Sequence, residues 1–271
     1  MDNAGLRIED KQMAGRDLVS VIMPTYNCRR FIGRSIKSVQ AQTYENWELI
    51  IVDDCSDDGT IGLVTELQEK DARIKLFKNE SNSGAAVSRN TALCHAKGRW
   101  IAFLDSDDLW EPTKLERQIL FMEEHGYAFS CHEYKEIDEQ DHEFGVYVSC
   151  KERVRKFDMY ACCWPGCLTV MYDALKVGLI QVSDIKKNND TAMWLKVIRK
   201  ADCYLLKECL GKYRKRTDSI TSKRIWQRIW GHYPLFCVAE EMNPISATFW
   251  VVVNVFGNAY KKIRYVKRYR P

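Results

Sequence analysis

Residues 99–110 read Arg-Trp-Ile-Ala-Phe-Leu-Asp-Ser-Asp-Asp-Leu-Trp, an apolar run that leads directly into three carboxylates. The segment from Trp100 to Leu104 predicts a buried strand, and Asp105 to Asp108 follow where that strand ends. Acidic side chains this close repel one another unless a positive charge lies between them. A divalent cation held by one or two carboxylates usually completes its coordination with substrate phosphates. The stretch therefore indicates a phosphate-handling enzyme, although such a cluster on its own is more often a polar turn.

Strand-like and helix-like patterns alternate along the first part of the chain. Short apolar runs predict strands at Leu18 to Met23, Trp47 to Val52, Ile74 to Phe77 and Trp100 to Leu104. Helical spacing of apolar residues predicts a helix after each of the first three strands. Such alternation is typical of βαβ units, which build a parallel sheet with right-handed crossovers. The expected fold class is therefore α/β, with a mostly parallel central sheet flanked by helices.

Polar clusters follow three of these strands. They are Thr25-Tyr26-Asn27, Asp53-Asp54 and Asp105 to Asp108. Parallel α/β sheets bind their ligands at the carboxyl ends of the strands, and these ends share one edge. Three separate loops are therefore expected to converge on one acidic site.

The overall composition is that of an ordinary globular protein. Of 271 residues, 46% are hydrophobic and 29% are charged, and the net charge of +4 is too small to indicate nucleic-acid binding. The eleven cysteines are odd in number and scattered, and residues 1–17 lack a secretory signal pattern. No run of about 18 apolar residues is present. A cytoplasmic location is therefore expected.

Four ordered motifs resemble those of a known family. They are Val19-Ser20-Val21-Ile22-Met23-Pro24-Thr25-Tyr26-Asn27, Ile51-Val52-Asp53-Asp54-Cys55-Ser56-Asp57-Asp58-Gly59-Thr60, Asn82-Ser83-Gly84 with Ser88-Arg89-Asn90, and Phe103-Leu104-Asp105-Ser106-Asp107-Asp108. In order and spacing they resemble the family 2 glycosyltransferases, which have the Rossmann-like GT-A fold. The resemblance is dense over residues 18–115 and thinner from there to about 222.

The resemblance implies three parts of the chain. Residues 1–17 would be a polar lead, residues 18–222 a GT-A catalytic domain, and residues 223–271 a helical extension rich in basic and aromatic side chains. Within the catalytic domain, residues 18–115 would bind the nucleotide sugar and residues 116–222 the acceptor.

The first two motifs are expected to bind the nucleotide. By resemblance, Pro24, Thr25 and Tyr26 form the first contact loop, with the Tyr26 ring against the flat base. The alternative for Tyr26 is a half-buried tyrosine at a strand end. Asp53 or Asp54 would accept the imide N–H of uracil, and the sequence does not choose between these two neighbours.

The next two motifs are expected to bind the diphosphate. Arg89 matches the family arginine, and a guanidinium offers paired donors with a fixed charge. Asp105 and Asp107, with Ser106 between them, match the family's Asp-x-Asp. In that pattern Asp105 lies near the ribose and the metal, and Asp107 coordinates Mn²⁺ or Mg²⁺, which assists the leaving group as a Lewis acid. Arg216 would approach the diphosphate, with Ser219 as the alternative.

The catalytic base is expected further along the chain. The family carries an acidic pair before a helix, and Asp190 matches its second member as the general base that deprotonates the acceptor hydroxyl. Asn189 stands where the family usually has glutamate. The alternative role for Asp190 is helix N-capping. One carboxylate base with in-line displacement implies inversion at the sugar carbon.

The resemblance implies an inverting transferase that moves a sugar from a nucleotide-sugar donor, expected to be UDP-linked, onto a glycan or lipid-linked glycan of a bacterial surface polysaccharide such as O-antigen, capsule or lipooligosaccharide. Basic and aromatic residues in 225–271 suit the anionic inner face of the membrane, so a peripheral location is expected. The alternative is a helical lid with a solvated tail.

The sequence also bears on two other classes of protein. A nucleotide-sugar-binding regulator or scaffold without catalysis is hinted at only by Asn189. A dinucleotide-dependent oxidoreductase is excluded, because Pro24-Thr25-Tyr26-Asn27 follows the first strand where Gly-x-Gly-x-x-Gly is required.

Overall fold

The computed structural model describes residues 17–216 and 231–269, and its central feature is one sheet of eleven strands within those ranges. The strands are β1 Val19–Thr25, β2 Trp47–Asp53, β3 Ile74–Lys78, β4 Trp100–Phe103, β5 Leu109–Trp110, β6 Phe129–Ile137, β7 Glu143–Val148, β8 Arg153–Val154, β9 Met171–Asp173, β10 Cys203–Arg214 and β11 Val266–Arg268.

Helices cover both faces of this sheet. They are α1 Arg29–Gln40, α2 Thr60–Lys70, α3 Ala85–His95, α4 Lys114–Glu124, α5 Lys156–Ala161, α6 Ala174–Val177, α7 Asn189–Ile198 and α8 Pro244–Arg264. A 3₁₀ turn at Cys167–Thr169 and a π-helical turn at Leu235–Ala239 complete the described elements. In residues 17–216 and 231–269, no helix combines the length and hydropathy that a bilayer-spanning segment requires.

The strand order along the sheet is β11-β7-β6-β9-β4-β1-β2-β3. Strands β4, β1, β2 and β3 are parallel, which confirms the predicted βαβ core. The register sets Thr25 at the end of β1 beside Asp53 at the end of β2, and the Asp54 N–H donates to the Thr25 carbonyl. The polar clusters therefore share one edge, as predicted. Antiparallel strand β9 joins this core to β6 and β7.

Two apolar layers hold the parallel core between the helices. Consecutive strand residues point to opposite faces, so every residue of β1 and β2 is buried on one side or the other. On one face the Phe103 ring meets Trp194 of α7 edge-on, with centroids 5.1 Å apart. An aromatic pair in this geometry adds about 0.5–1.5 kcal/mol beyond its burial. This contact fixes α7, which carries Asp190, over the strand that leads into Asp105.

Two elements differ from the sequence-based expectations, and a third, strand β10, was not predicted from the sequence. The long strand β10 has no period-two pattern, because two bulges, between Leu206 and Cys209 and between Cys209 and Gly211, change the face of its side chains. Helix α7 begins at Asn189, so Asp190 lies in its first turn and not before it. The C-terminal region forms α8 and then β11, which pairs with β7 and so belongs to the same sheet.

Candidate functional site

A pocket of about 220 Å³ lies at the carboxyl ends of the parallel strands. We call it the strand-end pocket, and its lining residues are Pro24, Thr25, Tyr26, Asp54, Ala85, Ser88, Arg89, Asp105, Ser106, Asp107 and Arg216. Nine of these were singled out from the sequence. Five segments that are distant in the chain thus meet at one place.

The two neighbouring acids after β2 have different surroundings. Asp53 is fully buried, and its carboxylate accepts hydrogen bonds from the Ser56 backbone N–H, at 2.9 Å, and from the Ser56 hydroxyl. It shapes the turn after β2 and does not line the strand-end pocket. Asp54 does line it, so the geometry favours Asp54 as the acid that meets a ligand.

The Asp54 carboxylate is held by the loop that leads into α3. Its Oδ1 accepts from Asn79 Nδ2 at 2.7 Å and from the Ser83 N–H at 2.9 Å, and its Oδ2 accepts from the Gly84 N–H at 2.7 Å. A carboxylate has about four acceptor positions, so about one remains, on Oδ2. Asn79 was not singled out from the sequence, because only its spatial proximity to Asp54 shows its role.

Gly84 has a backbone conformation that only glycine adopts readily, with φ +88° and ψ 165°. Gly84→Ala is expected to reduce the free energy of unfolding by about 1–3 kcal/mol, and to weaken ligand binding because the Gly84 N–H orients Asp54. Gly62→Ala is the matched control, since Gly62 lies inside α2 with free space around an added Cβ, and there alanine should stabilise. Urea unfolding measures the free energy of unfolding of both variants. Equal changes in that free energy for Gly84→Ala and Gly62→Ala would contradict the prediction.

Arg89 links the strand-end pocket to α7. Its Nη2 lies 2.6 Å from Asp105 Oδ1, and its Nη1 donates to Asn189 Oδ1 at 2.7 Å. Burial alone would lower the pKa of Arg89, but the charges of Asp105 and Asp190 raise it above its usual value, so the guanidinium stays charged. Its Nε is buried without a hydrogen-bond partner among the described residues. The wall of the strand-end pocket therefore contains a permanent positive charge, and the Arg89 Nε–H is a hydrogen-bond donor without a partner among the described residues.

Asp107 faces Arg216, whose Nη1 lies 3.5 Å from Asp107 Oδ2. Burial, and then the charge of Asp105, raise the pKa of the Asp107 carboxyl, while Arg216 opposes them. The Asp105 and Asp107 side chains are only partly buried, at 32% and 24% exposure, and two carboxylates that repel each other fit a divalent cation, which would relieve that repulsion. Among the described residues no group of three or more His, Cys, Asp or Glu side chains is arranged to hold a metal. A pair of carboxylates fits an ion whose shell is completed by ligand oxygens.

The loop that carries Asp107 is held from beneath by Arg214, which was not singled out from the sequence. Arg214 Nε donates to the Asp107 carbonyl at 2.7 Å, and Nη1 donates to the Asp138 carbonyl at 2.6 Å. Its guanidinium also pairs with Asp141, and its backbone N–H donates to the buried Asp108 carboxylate at 2.8 Å. The sequence signal was only its place in a basic segment, because its partners lie far away in the chain.

Tyr26 and Ser106 complete the rim and floor of the pocket. Tyr26 follows β1 and its side chain is 51% exposed, so a face of the ring is accessible to a ligand. Ser106 is buried, and its carbonyl accepts from the Ser35 hydroxyl of α1 at 2.9 Å. Ser219, the alternative to Arg216, lies outside the described residues.

Asp190 stands beside the strand-end pocket and not in its lining. Its Oδ1 accepts from the Thr191 N–H at 2.7 Å, and its charge acts on Arg89. Asn189, where the sequence departs from the family pattern, is the residue that accepts from Arg89. The Asn189 side chain therefore links Arg89, the expected diphosphate ligand, to the first turn of α7, where the expected base Asp190 is the next residue.

Comparison with known proteins agrees with this geometry. The family model "Glycosyl transferase family 2" matches residues 20–171, more than half of the chain. The putative teichuronic acid biosynthesis glycosyltransferase TuaG of Bacillus subtilis is 40% identical over 248 residues, which cover 91% of this chain and 98% of TuaG. The enzyme WfgD of Escherichia coli, a UDP-Glc:alpha-D-GlcNAc-diphosphoundecaprenol beta-1,3-glucosyltransferase, is 40% identical over 210 residues, 76% of this chain and 81% of WfgD.

Solved structures share the fold. S. aureus TarS 1-349 in complex with UDP-GlcNAc has a TM-score of 0.68 at 20% identity, covering 92% of this chain and 74% of that one. Mannosyltransferase PcManGT from Pyrobaculum calidifontis, in complex with GDP-Man and Mn²⁺, has a TM-score of 0.60 at 18% identity, covering 92% and 71%. At such identities the likeness concerns the fold, which confirms the expected GT-A architecture. With the family model and the two sequence relatives, it leads to one conclusion: this chain is a glycosyltransferase and belongs to glycosyl transferase family 2.

Proposed function

We propose that the protein is an inverting glycosyltransferase that moves a sugar from a UDP-linked donor to a hydroxyl of a lipid-linked glycan during synthesis of a bacterial surface polysaccharide. The observation that carries the proposal is the meeting of Asp54, Arg89 and Asp107 in one strand-end pocket. This set combines an acceptor for a base, a cation for a diphosphate and an acid for a metal.

The donor site follows from the open positions in this pocket. The remaining acceptor position on Asp54 suits the imide N–H of uracil, and the exposed Tyr26 ring suits the face of the base. The guanidinium of Arg89 would pair with the diphosphate, and Arg216 would approach it from the other side of Asp107. The names of WfgD and of the TarS complex, which mention UDP-Glc and UDP-GlcNAc, support a UDP-sugar.

Asp107 and Asp105 would hold Mn²⁺ or Mg²⁺, in keeping with the repulsion between their partly buried carboxylates. When bound, such an ion neutralises charge that develops on a leaving diphosphate. The residues of the chain provide the rest: Arg89 adds fixed positive charge, and Arg214 keeps the Asp107 loop in place.

Asp190 would act as the general base. Its free oxygen takes the proton of the acceptor hydroxyl while the hydroxyl oxygen attacks the anomeric carbon, and the bond to the diphosphate breaks on the opposite face. Because one displacement occurs, the configuration at that carbon inverts. An α-linked donor would therefore give a β-linked product.

We also propose that the acceptor is carried by a membrane lipid, and that the protein is a peripheral protein of the cytoplasmic face of the inner membrane. The diphosphoundecaprenol named for WfgD supports a lipid carrier. The basic and aromatic residues that suit a membrane surface lie within residues 225–271, of which the structure describes 231–269.

A thermal-shift panel with Mn²⁺ tests the donor. We expect at least one of UDP-Glc, UDP-Gal, UDP-GlcNAc and UDP-GalNAc to raise the melting temperature in a metal-dependent way, and GDP-Man not to, because a ligand that binds only the folded form stabilises it. Release of UDP from the same donor should follow. Binding without any release or transfer, across the panel and with lipid-linked acceptors, would favour the non-catalytic regulator and contradict the proposal.

A further inference from the structure

We infer that the outward face of α8 lies in the surface of an anionic lipid bilayer, with the helix parallel to the membrane plane. This inference deepens the proposed peripheral location and rests on it, because it names the surface that makes the contact.

The outward face of α8 is apolar along its whole length. Its members recur at intervals of three, four and seven residues, which places them on one side of a helix. They are Ile245, Phe249, Val252, Phe256 and Ile263, all exposed, with side chains at 85%, 59%, 50%, 71% and 84% of full exposure. A monomeric protein rarely exposes so continuous an apolar stripe unless it marks an interaction site. We call these five residues the α8 stripe.

The orientation of α8 is fixed by its opposite face. Ala247 and Val251 are buried in the core, and Asn254 Nδ2 donates to the Tyr160 carbonyl at 3.2 Å. At Gly257 the backbones meet so closely that an added Cβ would lie 2.0 Å from the Ala161 carbonyl oxygen. Lys261 Nζ reaches the carbonyls of the 163–164 segment at 2.9 Å and 2.7 Å. Rotation of the helix to bury the stripe against residues 17–216 would break all of these contacts.

The charged residues of α8 indicate which kind of surface its outward face fits. Residues 244–264 contain no aspartate or glutamate. Lys262 and Arg264 are exposed beside the C-terminal end of the stripe, and Lys267 and Arg268 of β11 are exposed just beyond it. Each basic residue near an anionic surface adds about 1 kcal/mol to binding, and an apolar face with basic flanks is typical of helices that lie in the interface.

A second copy of the chain fits this surface less well. A two-fold contact through α8 would place the same surface of each copy against the other. The stripe would then be covered, but the basic side chains would meet a helix without acidic partners. An anionic bilayer offers acyl chains to the α8 stripe and negatively charged headgroups to the basic side chains.

The length of the helix also suits an in-plane contact. Its 21 residues span about 30 Å at about 1.5 Å per residue. Phe249 and Phe256 lie two turns apart near the middle of the stripe, so removing both aromatic rings should interrupt the apolar contact at its centre.

Co-sedimentation of the full chain with vesicles tests the inference. Wild-type protein is expected to bind phosphatidylcholine vesicles that contain about 30% phosphatidylglycerol at least about tenfold more tightly than pure phosphatidylcholine. The double variant Phe249→Ser/Phe256→Ser should lose at least about tenfold of that binding. The control Leu120→Ser/Leu175→Ser, which removes two exposed apolar side chains from α4 and α6, should bind like wild type.

Two further measurements separate the possible failures. The melting temperature and its shift with UDP and Mn²⁺ should be the same in the double variant as in wild type, since neither phenylalanine lines the strand-end pocket. Equal vesicle binding by wild type and the double variant would overturn the inference. So would a wild-type dimer that ignores vesicles and becomes a monomer in the double variant. In either case, an intact response to UDP and Mn²⁺ would leave the proposed transferase activity standing.

Discussion

Replacing Asp107 by asparagine is expected to reduce sugar transfer by about 1,000-fold, because several kcal/mol of charge stabilisation of the leaving diphosphate would be lost. The substitution keeps the size of the side chain and removes its charge. The loop should keep its position, because Arg214 holds it through the Asp107 carbonyl and not through the carboxylate. The loss should therefore appear in metal-dependent transfer and not in the melting temperature. Transfer of labelled sugar to a lipid-linked acceptor, over a range of Mn²⁺ concentrations, measures it.

Asp57→Asn is the matched control for this experiment. Asp57 lies in the acidic turn after β2, it is exposed, and it does not line the strand-end pocket. Its variant should transfer sugar at a rate close to that of wild type. If Asp107→Asn kept a rate comparable with that of Asp57→Asn, the assignment of the metal to Asp107 would be wrong.

Replacing Asp190 by asparagine is expected to lower transfer by about 100- to 10,000-fold, the range typical of a lost general base. The affinity for donor should change little, because Asp190 does not line the strand-end pocket. Asparagine keeps the size of the side chain, and the N-cap residue of α7 is Asn188, so the substitution does not remove a helix cap. The experiment thereby separates loss of catalysis from loss of helix stability. Kinetics with a lipid-linked acceptor and titration of UDP-sugar measure the two effects.

Asp184→Asn serves as the control for Asp190. Asp184 is an exposed acid shortly before α7. Its variant should keep both rate and affinity. A variant Asp190→Asn that transfers sugar at the wild-type rate would exclude Asp190 as the base, whereas a lowered melting temperature with a proportional loss of rate would assign it a purely structural role.

The parallel half of the fold could be predicted because its strands are buried on both faces and read as short continuous apolar runs. Their shared edge then follows from topology, which is why Tyr26 and Asp107 could be placed at one site from the sequence pattern, whereas Arg89 was assigned to it by the family resemblance. The choice between Asp53 and Asp54 could not be made. Consecutive residues at a strand end point to opposite sides, and the sequence does not say which side holds the pocket.

The features that escaped prediction depend on contacts between distant segments. Arg214 acts on carbonyls more than 70 residues away, and Asn79 acts on Asp54 across the loop after β3. Neither residue type stands out locally. The bulges in β10 disrupt the alternation of buried and exposed side chains by which a strand is recognised in a sequence. The exposure of the α8 stripe follows only from the structure, in which the opposite face of α8 packs on α5.

Titration of Mn²⁺ followed by electron paramagnetic resonance, in the presence and absence of UDP, tests the central claim most directly. Wild type and Asp57→Asn should each bind about one Mn²⁺ per chain when UDP is present, since a hard cation held by two carboxylates completes its shell with phosphate oxygens. Asp107→Asn should bind none under the same conditions. Equal binding of Mn²⁺ by wild type and Asp107→Asn would contradict the account.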